Sequence, residues 1–201
     1  MTDTPITPIT RIDFAAQAPA HGSLDVRWIH GAPARRRASD PPIQVHWYDP
    51  HTVIMRQSKS VHYEAPFLYL LFGNDRALLL DTGATKDQQK FPLRATVDEL
   101  IAQWMGQHKP QKTDYELVVA HTHGHRDHRD GDPQFADRPR TAVVGHTAEA
   151  VRGFYGFSQW PGQIVRFDLG GRVLELTGTP GHHPASVTVY DPSGCPAGLF
   201  T

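Results

Sequence analysis

The stretch that most limits how this chain can fold is Ala120-His121-Thr122-His123-Gly124-His125-Arg126-Asp127-His128-Arg129-Asp130-Gly131-Asp132, which directly follows the apolar run Tyr115–Val119. Residues two apart on a helix point away from each other, so a helix would separate His123 from His125. In an extended segment alternate residues share a side, and His121, His123, His125 and Asp127 would point together. His128 joins them only if the chain turns there. Neutral imidazoles and a carboxylate on a loop at the end of a strand are ligands for zinc and its divalent neighbours. The competing reading is a solvated His-rich loop; the ordered apolar strand leading into the stretch favours the metal.

The flanking sequence supplies the frame. Phe67–Phe72 and Arg76–Leu80 are short apolar runs joined by Gly73-Asn74-Asp75, the pattern of a hairpin of buried strands. The second run ends in Asp81-Thr82-Gly83, a carboxylate placed where the strand leaves the core. Within Phe91–Met105 apolar residues fall at 93, 97, 100, 101 and 104, which is helical spacing, with Pro92 suited to a first turn and Gly106 expected to end it. Strands are expected at Val26–His30, Gln44–Tyr48, Thr52–Gln57, 115–120, Thr141–Gly145, Ile164–Asp168, Arg172–Leu176 and Ser186–Tyr190, with a short helix over Thr147–Arg152. A helix between strands, then strands in series, predicts a mixed α/β layered domain. Residues 1–45, rich in Ala, Pro and Arg, read as a weakly structured extension before a domain at 46–201.

Composition narrows the function classes. A net charge of −1 gives no electrostatic footprint for nucleic acid, and Arg35-Arg36-Arg37 reads as a solvated loop. No run approaches the ~20 apolar residues of a membrane span, and Met1–Pro5 shows no secretory pattern. Cys195 is the single cysteine, so no internal disulfide forms and a reducing cytoplasm is expected.

His123-Gly124-His125-Arg126-Asp127-His128 fits the His-x-His-x-Asp-His signature and resembles the metallo-β-lactamase superfamily. Only this frame works, because starting at His121 would require Asp where His125 stands. Leu80-Asp81-Thr82-Gly83 resembles the superfamily's first motif, and Thr179-Pro180-Gly181-His182-His183-Pro184-Ala185-Ser186 its third. The resemblance covers about residues 60 to 201. It implies an αββα sandwich with metals at one edge of the two sheets. Carried over, His123, His125 and His182 would hold a first metal, Asp127 and His128 would contribute to a second, and Asp81 would lie beneath the loop and hold it by hydrogen bonds. His121 falls outside the motif and is expected to be structural; His183 is expected to be a bystander. His46, His51, His62 and His146 have no partner legible in the sequence. Tyr155, Phe157 and Trp160 are expected in the core rather than in a pocket.

The sequence departs from the pattern at its end. In the superfamily the strand after the third motif ends in a Gly-Asp whose carboxylate bridges two metals, and a last His follows much later. Here the sequence stops at Gly198-Leu199-Phe200-Thr201. The expectation is a C-terminally truncated member with an incomplete second half of the sandwich, a weak second metal, and self-association through an uncovered sheet.

Three imidazoles leave a divalent metal its charge and an open position for water, whose pKa falls towards ~7. The resulting hydroxide would attack the carbonyl of an ester, thioester, lactone or lactam, the metals would stabilise the oxyanion, and Asp127 would orient the water and handle its proton. The expected activity is therefore metal-dependent hydrolysis of a small molecule with one or two zinc ions, iron or manganese being alternatives. Two other readings stay open: a catalytically impaired metal-binding fragment, and an iron-dependent oxygenase of the same superfamily.

Overall fold

The computed structural model describes residues 11–16, 20–29, 40–108, 114–195 and 198–200. The Met1–Pro5 start and the Arg35–Arg37 cluster lie outside the described residues. The elements are β1 (Ala20–His21), β2 (Ile43–Asp49), β3 (Thr52–Gln57), β4 (Phe67–Phe72), β5 (Arg76–Leu80), α1 (Leu93–His108), β6 (Glu116–Ala120), α2 (Arg126–Arg129), a 3-10 turn (Asp132–Phe135), β7 (Thr141–Val143), α3 (Ala148–Tyr155), β8 (Ile164–Asp168), β9 (Val173–Gly178), β10 (Val187–Asp191), β11 (Gly194–Cys195) and β12 (Gly198–Phe200).

The expected hairpin of apolar strands is the centre of a six-stranded sheet ordered β2-β3-β4-β5-β6-β7. Strands β2 to β5 pair antiparallel; β5, β6 and β7 pair parallel. The parallel step from β5 to β6 requires a crossover, and α1 provides it. Both faces of β4 and β5 are covered, which explains why these strands read as continuous apolar runs rather than alternating ones. On one face Leu68, Leu70, Phe72, Ala77 and Leu79 pack with Leu93, Val97, Leu100, Ile101 and Trp104 of α1. That set is the apolar stripe the helical spacing predicts. The helix continues past Gly106 to His108. Nothing lies within 4 Å of a side chain added at Gly106, so this glycine weakens an exposed turn, by about 1 kcal/mol, without ending it.

The other face packs on a second, antiparallel sheet ordered β12-β10-β9-β8. Leu71, Leu78, Leu80, Val118 and Ala120 meet Val165, Leu174, Leu176, Val187 and Val189 between the sheets. Val151 of α3 joins this core from the side. Thr147 caps that helix by accepting from the Ala150 N–H, and Gly156 ends it in the left-handed region at φ +77°. Phe157 is buried in the same core, with Tyr155 and Trp160 packed against it, as expected for these aromatics.

The layers are thus helix, sheet, sheet: an α/β fold as expected. Ile164 and Arg166 stand exposed on the outer face of the second sheet, and no helix covers that face among the described residues. Also among the described residues, no helix is long and apolar enough to cross a membrane.

One stretch of the N-terminal region differs from expectation. The strand expected at Val26–His30 does not form over 26–29, and His30 lies outside the described residues. Instead the Gln44 side chain brackets the segment, accepting from the Ile29 N–H at 2.6 Å and donating to the Arg27 carbonyl at 3.0 Å. Side-chain partners thereby replace a strand ladder. Nearer the start, Asn74 pairs with both backbone groups of Ile12, and Phe14 lies edge-on to His51.

Candidate metal centre

Strands β5 and β6 run parallel in the register Leu80↔Ala120, so the chain leaves the sheet at two adjacent points, Asp81 and His121. Asp81 turns there at φ +69°, a left-handed conformation that Asp tolerates better than most residues. Its N–H donates to the Ala120 carbonyl at 2.8 Å. Its buried carboxylate accepts from the Thr122 N–H at 2.8 Å, from the Thr122 hydroxyl at 3.0 Å, and from His128 Nδ1 at 2.8 Å. The carboxylate therefore holds both the start and the end of the His-rich loop.

The loop is not extended throughout. It bends over residues 122–125 and enters α2 at Arg126, where the Thr82 N–H donates to the His128 carbonyl at 2.8 Å. This turn corrects the expectation that His121 points with its alternate neighbours. His121 is buried and its Nε2 pairs with Asp132 Oδ1 at 2.8 Å, an oxygen that also accepts from the Thr82 hydroxyl. The same turn brings His128 beside Asp127, Nε2 to Oδ2 at 3.1 Å. The third loop, between β9 and β10, is closed by the Thr179 N–H donating to the Ser186 carbonyl, and it is tied to the His-rich loop where the Val187 N–H donates to the Thr122 carbonyl.

Two ligand groups result. One ligand atom each from His123, His125 and His182 lies within 4.8 Å of the others, and the same holds for His123, Asp127 and His128. His123 belongs to both. The ring centroid of His123 is 4.8 Å from His125, 4.0 Å from His128 and 4.9 Å from His182.

Electrostatics separates the histidines. Burial, reinforced by His128, His125 and His182, pulls the pKa of His123 down to about 4, so its ring is neutral at pH 7 and keeps a lone pair to donate. At His128 burial opposes the charged form, but the hydrogen bond and charge of Asp81, with the charges of Asp127 and Glu64, outweigh it and raise the pKa. With Nδ1–H engaged by Asp81, it is Nε2 that faces Asp127. Imidazoles and one carboxylate converging, with one imidazole oriented by a buried carboxylate, form a donor set that suits a divalent transition metal.

Some contacts had no signal in the sequence. His183 is not a bystander: its Nδ1 accepts from the Gly124 N–H at 3.3 Å and the Ala185 N–H at 3.1 Å. His46 Nε2 lies 2.6 Å from the Ser23 carbonyl, His62 pairs with Glu64, and His51 accepts from the Trp104 indole N–H. All of these partners are distant in sequence or set by a loop, beyond the reach of spacing arguments.

The family model of the metallo-beta-lactamase superfamily matches residues 65–194. No curated protein matches the chain. Among solved structures, TMB-1 is similar at 18% identity, over 77% of this chain and 67% of that one, with a TM-score of 0.46. A metallo-beta-lactamase from Pontibacter korlensis is similar at 20% identity, over 75% and 67%, with a TM-score of 0.46. A flavo di-iron protein from Thermotoga maritima is similar at 19% identity, over 76% of this chain but only 40% of that one, with a TM-score of 0.46. The family match spans well over half of the sequence and includes all three motif-bearing loops, and the chain belongs to the metallo-beta-lactamase superfamily.

Proposed function

We propose that the chain is a metal-dependent hydrolase whose metal is held by His123, His125 and His182, with Asp127 and His128 contributing to a second position. The observation that carries this reading is the convergence of the two ligand groups on the shared, neutral His123. A divalent metal bound there supplies Lewis acidity and lowers the pKa of water to about 7. The residues themselves do the rest. Asp81 fixes the orientation of His128 through Nδ1 and holds the loop through Thr122. Asp127, whose Oδ2 faces His128 Nε2, orients the attacking water and accepts its proton. The substrate class is an ester, thioester, lactone or lactam of a small molecule; a net charge of −1 offers no basic face to nucleic acid. The imidazole and carboxylate donors suit zinc, iron and manganese alike.

The test is a hydrolysis screen across these four carbonyl classes, run before and after removal of metal with a chelator. Turnover that disappears on chelation, returns with zinc, iron or manganese, and is missing in His182→Ala supports the reading. Turnover indifferent to chelation, or none in a metal-loaded chain, overturns it.

A further inference from the structure

The metal reading above requires two separate loops to hold a fixed distance. His123 and His125 stand on the loop after β6, while His182 stands on the loop between β9 and β10. The peptide between the first two ligands is that of Gly124, and it is gripped on both sides. Its carbonyl accepts from Arg129 Nε at 2.8 Å, and its N–H donates to His183 Nδ1 at 3.3 Å. His183 is the residue next to His182, so one imidazole spans the gap between the two ligand-bearing loops. The same Nδ1 accepts from the Ala185 N–H at 3.1 Å, which folds the third loop around the ring, and the Ser186 N–H donates to the His183 carbonyl. With two N–H groups aimed at it, Nδ1 is an acceptor and the ring is held as the Nε2–H tautomer.

The seat is closely fitted. A Cβ on Gly124 would lie 2.5 Å from Cε1 and 2.9 Å from Nε2 of His183, and 2.7 Å from the His146 carbonyl oxygen. Position 124 therefore has to be glycine for the ring to reach the backbone. The His183 ring centroid lies 5.0 Å from that of His125 and 6.0 Å from that of His123. Among the described residues, neither converging ligand group includes it.

We propose that His183 is a positioning residue: its Nδ1, accepting from the Gly124 and Ala185 N–H groups, sets the separation of the two loops and so presents His182 to the metal held by His123 and His125. The inference rests on the metal reading proposed above. Its chemistry is specific, because the acceptor has to sit at the δ position. Asn places Oδ1 where Nδ1 stands, whereas Gln places its oxygen one bond further out.

The experiment titrates cobalt(II) into the metal-free full chain and follows its visible absorption, for the wild type and for His183→Asn, His183→Gln and His183→Ala. Loss of a partner that orients a metal site costs roughly 10–100-fold in affinity. The expected result is a loss of that size in His183→Ala and His183→Gln, with His183→Asn recovering most of it and restoring the wild-type cobalt spectrum. Thermal unfolding of the four metal-free chains shows whether they start from the same fold. Wild-type affinity in His183→Ala overturns the proposal, as does a His183→Asn chain that is folded yet no better than His183→Gln. A wild type that takes up no cobalt overturns the metal reading itself, a failure distinguishable because it precedes any variant.

Discussion

The two ends of the sheet sandwich both carry buried polar clusters, and the clusters are built on opposite logic. At the end where β5 and β6 finish, imidazoles gather with donor atoms facing one another. At the other end, where β4 finishes and β9 begins, Arg172 is buried and fully engaged. It donates to Asp191 (Nε to Oδ2, 3.0 Å), to the His51 and Phe72 carbonyls and to the Thr52 hydroxyl. His51 sits beside it and accepts from the Trp104 indole N–H at 3.1 Å. In one cluster the Arg172 guanidinium is matched by acceptors from both sheets and joins them; in the other, potential ligand atoms from two loops converge. Burial and polarity alone thus do not single out a candidate functional site, whereas the convergence of potential ligand atoms does.

This contrast breaks down if damage to one end is felt at the other. The largest effect is expected from Arg172→Ala, which strands the buried Asp191 carboxylate and three acceptors. Stability should fall by about 3–5 kcal/mol in denaturant unfolding, with the metal content of the remaining folded chain unchanged. The next effect is a pH dependence from His51, whose pKa burial, helped by His108 and Arg172, lowers from 6.5 to about 4. Between those values the folded chain binds fewer protons than the unfolded one. Stability is therefore full above pH 6.5 and is lost as the pH falls towards 4, by roughly 3 kcal/mol in all. His51→Gln should flatten that part of the stability–pH curve.

At the metal end the signature reverses. Asp81→Ala removes the acceptor for Thr122 and His128 and should weaken cobalt affinity about 10–100-fold, read by titration. The smallest effect is expected from Thr82→Val, which removes the hydroxyl bonded to Asp132 at 2.8 Å. It should cost about 1 kcal/mol of stability, with much less change in metal affinity than Asp81→Ala shows.

The residues that converge in the candidate metal centre could be singled out in the sequence, whereas those of the opposite cluster could not. The His-x-His-x-Asp-His frame, Asp81 at the end of an apolar run, and His182 after Pro-Gly are short motifs that the family resemblance could interpret, although it is packing between loops that brings His182 beside His123 and His125. The α1 stripe was legible because 3.6-residue spacing is a property of one segment. Arg172, in contrast, reads as an ordinary charged residue at a strand start. Its partners stand at 51, 52, 72 and 191, and only the packing of two sheets brings them together. The alternation at 26–29 misled because Gln44 competes for the backbone with side-chain hydrogen bonds. The extended geometry that would put His121 on one side with its alternate neighbours does not hold, because the loop bends after it; His121 pairs with Asp132 instead, as suits its place outside the motif.

The most direct test of the central claim is metal content per chain, by elemental analysis after dialysis, for the wild type, His123→Ala and His182→Ala. The account predicts about one metal or more in the wild type. His123→Ala should fall to background because that ring serves both ligand groups, and His182→Ala should lose the three-imidazole metal. A wild type at background, or a His123→Ala chain that keeps the wild-type content, would contradict it.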